Sequence, residues 1–89
     1  MRNKANILKH RISFEEAITV FDDENAKYLY DAAHSYEEER FYIIGTDENF
    51  RELSVCHCYR GVNEEIIRII SARKATKIEI DYYYGRIEL

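Results

Sequence analysis

The stretch FRELSVCHCYRGVNEEIIRIISAR, Phe50–Arg73, decides how the chain folds. It divides at GVNE, a polar turn with a glycine, between two runs rich in β-branched and aromatic residues, Phe50–Arg60 and Glu65–Arg73. Two such runs across a short turn read as an antiparallel hairpin. A loop of two or four residues sets His57 opposite Arg68 on one face, and puts Arg60, Ser71 and Arg73 on the other. Arginines within an isoleucine run are costly if buried without a partner, so Arg68 and Arg73 ask for a polar surface. Five positions apart, they face opposite ways on a regular strand, and only a bulge or twist near Ser71–Ala72 brings them to one side.

Working outward, AKYLYDA and ERFYIIG supply two earlier strands, the second ending at Gly45, and TDEN turns into the hairpin. Four strands joined by short polar turns form an antiparallel meander. Before them, Asn3 to His10 reads as the end of a short helix. Ser13 then opens a second helix, with Glu16 placed to complete a capping box and Phe14, Ala17, Ile18 and Phe21 on one stripe. After the meander, Thr76 caps KIEIDYYYGRIEL, with Ile80, Tyr83 and Tyr84 at helical spacing. The order is α-α-β-β-β-β-α, an α+β class, and 89 residues without a linker or repeat make one small domain, residues 1–89.

Composition excludes some functions. No apolar run spans a bilayer and no apolar signal segment follows the basic start, so a cytoplasmic protein without a membrane role is expected. The net charge of −4 is unevenly spread: residues 1–14 carry +4, residues 15–48 carry −9 and residues 49–89 carry +1. Basic ends that meet in the fold would form an anion-binding patch apart from the acidic middle. Cys56 and Cys58 flank His57, but alternate residues of a strand face one side, so the thiols oppose the imidazole. They read as small buried hydrophobes, with zinc binding as the alternative. No cofactor or metal is expected.

His57 beside Arg68 carries chemistry. A neighbouring cation keeps imidazole neutral and able to accept a proton, and a guanidinium grips phosphate in two-pronged fashion. A base for a ribose 2′-hydroxyl and cations for a phosphorane are what metal-free RNA cleavage needs. The same two residues also read as a structural histidine and an arginine paired to Glu39 or Glu65.

KHRISFEEAITVFDD, EERFYIIG and IIRIISARKATKIEIDYY, in this order and spacing, closely resemble the BrnT family of type II toxin–antitoxin toxins. The resemblance implies a RelE-like fold and an endoribonuclease that arrests growth by cutting cellular RNA. It also implies neutralisation by a BrnA-type DNA-binding antitoxin, in a higher-order complex on DNA through that partner. Carried over by motif position are His57, Arg68, Arg73 and Glu39 as catalytic residues, with His57 or Glu39 as base and the two arginines as phosphate clamps. Lys9, His10, Arg40, Arg60 and Tyr83 are carried over as RNA-binding residues. The segment with which members typically begin, a strand ending in FxWD, is missing, which predicts an open sheet edge. Arg11 stands where glycine usually follows the Lys-His pair, at a left-handed cap. The competing expectation is a non-catalytic module that grips a partner peptide at its sheet edge.

Overall fold

A computed structural model describes residues 2–89, and its order of elements is the one the sequence predicts. Helix α1 is Arg2–His10. Helix α2 is a single turn, Phe14–Ala17, that tightens into a 3₁₀ segment, Ile18–Asp22. The strands are β1 Lys27–Tyr30, β2 Phe41–Thr46, β3 Glu52–Arg60 and β4 Ile66–Lys74, antiparallel in the order β1-β2-β3-β4. Helix α3, Lys77–Tyr83, closes the fold.

The capping signals act as read, whereas Ile18 and Tyr84, expected on the apolar stripes, are exposed, and Val20 is buried where the helix tightens into its 3₁₀ segment. Ser13 accepts from the Glu16 N–H while the Glu16 carboxylate accepts from the Ser13 N–H, and Thr76 and Glu79 repeat the arrangement at α3. Each cap is worth about 1 kcal/mol. Arg11 has φ of +59° and its N–H donates to Ile7 O at 2.8 Å, so an arginine does occupy the left-handed cap.

Alternation along the strands gives the sheet two faces. Ile43, Leu53, Val55 and Ala72 project to one side, where they meet Ile12, Ala17 and Val20 in a fully buried core. Burying each larger aliphatic chain contributes roughly 1.5–3 kcal/mol. Gly45 lies in the middle strands because a Cβ there would stand 3.1 Å from Asp23 Oδ2. That carboxylate accepts from Thr46 N and Oγ1 and, at 2.6 Å, from the Tyr83 hydroxyl, tying α3 to the 3₁₀ segment. At the β4 edge, the buried Asn6 amide of α1 pairs with the backbone of Ala72 in both directions, like one step of a further strand.

The register of the β3–β4 hairpin departs from expectation. Ser71 pairs with Cys56, but His57 pairs with Ile69 and Cys58 with Arg68, leaving Ile70 as a bulged extra residue. The predicted His57–Arg68 pairing therefore does not occur, and the two side chains take opposite faces. The same bulge adjoins Ser71 and puts Arg68 and Arg73 on one side, together with Arg60. A one-residue slip inverts every inside–outside assignment beyond it.

Candidate functional site

His57 belongs to the core side of the sheet. It is fully buried, with its ring 4.8 Å from Phe21, 5.2 Å from Tyr59, 6.0 Å from Phe41 and 6.2 Å from Tyr28, centroid to centroid. Nδ1–H donates to Val55 O at 3.1 Å, which leaves Nε2 to accept from the Tyr59 hydroxyl at 3.2 Å. Burial pulls its pKa below the ordinary 6.5, against a weaker opposing effect of the Val55 bond. This imidazole is neutral, saturated and closed to solvent.

The other face carries the cations. Arg2 from α1, Arg40 from the segment before β2, Arg60 at the end of β3 and Arg68 of β4 line one hollow of about 660 Å³, together with His34, Tyr36, Glu37 and Glu38. Glu38 holds Arg60 at 2.6 Å and lies 3.8 Å from Arg40. Arg2 and Arg68 form no ion pair among the described residues. The Arg40 Nε is buried and has no hydrogen-bond partner among the described residues, a donor that an added acceptor would satisfy. Four guanidinium groups against two carboxylates leave the hollow cationic, although the chain as a whole is anionic.

His34 sits at the end of a short 3₁₀ turn, Ala32–His34, between β1 and β2. Its Nδ1 lies 3.1 and 3.2 Å from the two oxygens of Asp31, a carboxylate that is itself only 8% exposed. A carboxylate only accepts, so Nδ1 bears a proton, and in the neutral form of this exposed ring Nε2 is the acceptor. The turn is pinned around it: Asp31 N–H donates to Arg40 O at 2.9 Å, Ser35 Oγ to Asp31 O at 2.6 Å, and Arg40 N–H to Ser35 Oγ at 3.0 Å. These bonds tie Asp31, His34 and Arg40 to one another through Ser35.

The remaining predicted residues lie apart from this hollow. Arg73 is clamped by Glu79 at 2.7 and 3.1 Å beneath α3. The Glu79 bond raises the Arg73 pKa; Glu79, pushed up by burial, is held below its ordinary range by Arg73 and the Thr76 backbone. Tyr83 is buried on Asp23 and serves as a clasp. Burial pushes the Asp23 carboxyl up, but the bonds from Tyr83, Thr46 and Asn25 outweigh it and keep it ionised. Lys9 is exposed and His10 half-buried at the end of α1, roughly 10 Å along the helix from Arg2. Glu39 is exposed and lines a different hollow, with Phe41 and Tyr59. Lys9, His57, Arg68 and Arg73 do not converge.

Cys56 and Cys58 are free and buried on the face opposite His57, and burial pushes the Cys56 thiol up. Among the described residues no group of three or more His, Cys, Asp and Glu is placed to hold a metal ion. Among the described residues no helix is long and apolar enough to cross a membrane.

Sequence reasoning named Arg40, Arg60 and Arg68 but missed Arg2, Asp31 and His34. The available signal for the last two is the D-x-x-H spacing of DAAH, which on one helical turn brings carboxylate and imidazole together.

No curated protein matches the chain. A family model described as "Ribonuclease toxin, BrnT, of type II toxin-antitoxin system" matches residues 1–79. That span holds α1, all four strands, the Asp31–His34 pair and every arginine of the hollow, so the chain belongs to the BrnT family of ribonuclease toxins of type II toxin–antitoxin systems.

Proposed function

We propose that the chain is an endoribonuclease that cuts cellular RNA in the cytoplasm without a metal ion, arrests growth, and is neutralised by a DNA-binding antitoxin of the BrnA type. The observation that carries this reading is the Asp31-held His34 opening into a hollow with four arginines. His34 Nε2 takes the proton of a ribose 2′-hydroxyl, and Asp31 is a positioning residue that fixes the tautomer and offsets the charge that forms. The 2′-oxygen bonds to phosphorus, the P–O5′ bond breaks, and O5′ takes a proton from solvent at the open mouth of the hollow. The products are a 2′,3′-cyclic phosphate and a free 5′-hydroxyl.

Arg68 and Arg2, which have no carboxylate partner among the described residues, bind the scissile phosphate and stabilise the phosphorane charge. Arg40 and Arg60 hold the neighbouring backbone, with Glu38 standing in for phosphate until RNA arrives. In this assignment His57, Arg73 and Tyr83 build the fold that presents the hollow. Lys9 extends the cationic track along α1 with His10 beside it at the helix end, and Glu39 lies outside it.

The test is the end chemistry of the cut. Pure chain acting on RNA in the presence of a chelator is expected to leave 2′,3′-cyclic phosphate and 5′-hydroxyl ends, and to spare a substrate with 2′-deoxyribose at the cut position. Ends bearing a 5′-phosphate, or cutting of the deoxy-substituted strand, would contradict the reading.

A further inference from the structure

The core face of the sheet continues as a run of rings. Tyr28 and Tyr30 are 52% and 53% exposed, Tyr30 meets Phe41 edge-to-face with centroids 5.6 Å apart, and Phe41 meets Tyr59 in the same way at 5.5 Å. Phe41 and Tyr59, with Glu38, Glu39 and Glu64, line a hollow of about 240 Å³ that has no lysine or arginine in its wall. Glu39 and Glu64 form no ion pair among the described residues. This is the electrostatic opposite of the arginine hollow: apolar rings with a carboxylate rim. Two exposed rings continued by two half-buried ones on a small domain mark a surface that something covers.

Charge selects the occupant. RNA would bring phosphates against the two unpaired carboxylates, Glu39 and Glu64. A second copy joined about a two-fold axis would set the same carboxylates against one another. An apolar segment carrying a lysine or arginine satisfies both features, with its side chains on the rings and its cation between ring faces and carboxylates. We propose that the Tyr28–Tyr30–Phe41–Tyr59 face is the docking surface for such a basic, apolar segment of the antitoxin. The identity of the occupant rests on the toxin reading, whereas the chemistry of the surface does not. Docking here leaves the arginine hollow open, so neutralisation requires a second segment of the antitoxin to reach that hollow.

Tyr30→Ala and Glu64→Lys test the surface, because both side chains are exposed and lie outside the arginine hollow. The measurement is calorimetric titration of wild type and each variant with the cognate antitoxin, alongside RNA cleavage by the free chains. Each variant is expected to weaken antitoxin binding at least about tenfold, with cleavage unchanged. Binding by both variants within about twofold of wild type overturns the proposal, as does a wild-type dimer that Tyr30→Ala dissolves. If wild type cuts no RNA yet both variants lose antitoxin binding, the docking surface stands and the nuclease reading falls. If RNA is cut and both variants bind normally, the reverse holds.

Discussion

His57 and His34 are two imidazoles on opposite faces of one sheet, and their surroundings differ in every respect that matters for proton transfer. His57 has four aromatic rings around it, both nitrogens bonded and no exposure. His34 has one nitrogen fixed by a carboxylate, the other free, and arginines in the wall it faces. An apolar box makes a histidine a structural element with a suppressed charge, whereas a carboxylate on one nitrogen and an open second nitrogen suit it to the role of base proposed for His34. Position on a strand made His57 conspicuous, and position in an irregular turn hid His34. The difference teaches that environment, rather than residue type or placement in a motif, assigns the chemistry.

The largest effects should separate the two regions by activity. Arg68→Ala is expected to lower RNA cleavage by about 10²-fold or more, because it removes a cation from the developing phosphorane charge, while leaving the urea midpoint of an exposed-site variant nearly unmoved. Arg73→Ala should do the opposite: its loss strands the half-buried Glu79 carboxylate, and denaturant titration should show a cost of roughly 2 kcal/mol. Equal loss of cleavage in both variants at matched folded fractions would merge two places that the Glu79 clamp on Arg73 keeps distinct.

Next is the carboxylate behind His34. Asp31→Asn keeps the size but loses the charge, and cleavage is expected to fall about tenfold or more with little change in RNA affinity. A purely structural Asp31 would lower both in step with folded content, so a comparison of KM with kcat decides.

A smaller effect concerns stability against pH. The folded-state pKa of His57 lies below its unfolded value, so the unfolded chain binds the extra proton. Its contribution is complete above the ordinary 6.5 and is lost as pH falls from there toward the depressed folded value. Asp23, Asp47 and Glu79, all held low, are lost only at more acid pH. Unfolding by urea should therefore become easier as pH falls through and below 6.5, and His57→Phe should flatten that slope. A slope that survives His57→Phe would mean that the box does not govern it.

The smallest expected effect is at the cap of α1. Arg11→Gly relieves a left-handed arginine at some cost in chain entropy, for a net gain of up to about 1 kcal/mol. The thermal midpoint checks this, and a lowered midpoint would mean that the Arg11 side chain contributes more than its backbone costs.

The elements were legible because their signals are local. Ser13 with Glu16 and Thr76 at α3 announce helix starts by side-chain chemistry, and GVNE announces the hairpin. The register was not legible, because IIRII has isoleucine on both sides of Arg68. A slip of one residue there leaves the apolar pattern unchanged, so nothing in the pattern marks Ile70 as the bulged residue. Part of the arginine hollow was readable: Arg40, Arg60 and Arg68 could be named, since a cation in a β-rich run demands a polar outlet. Arg2 could not, because its part depends on how α1 lies against the β4 edge, which the Asn6–Ala72 pairing fixes.

The central claim is that the open imidazole does the chemistry and the boxed one does not. The direct measurement is single-turnover cleavage of RNA in chelator by wild type, His34→Gln and His57→Phe, each corrected to its folded fraction. The predicted result is a loss of about 10²- to 10⁴-fold for His34→Gln and a near wild-type rate for folded His57→Phe. A His34→Gln chain that cuts at the wild-type rate, or a well-folded His57→Phe chain that does not cut, would contradict the account.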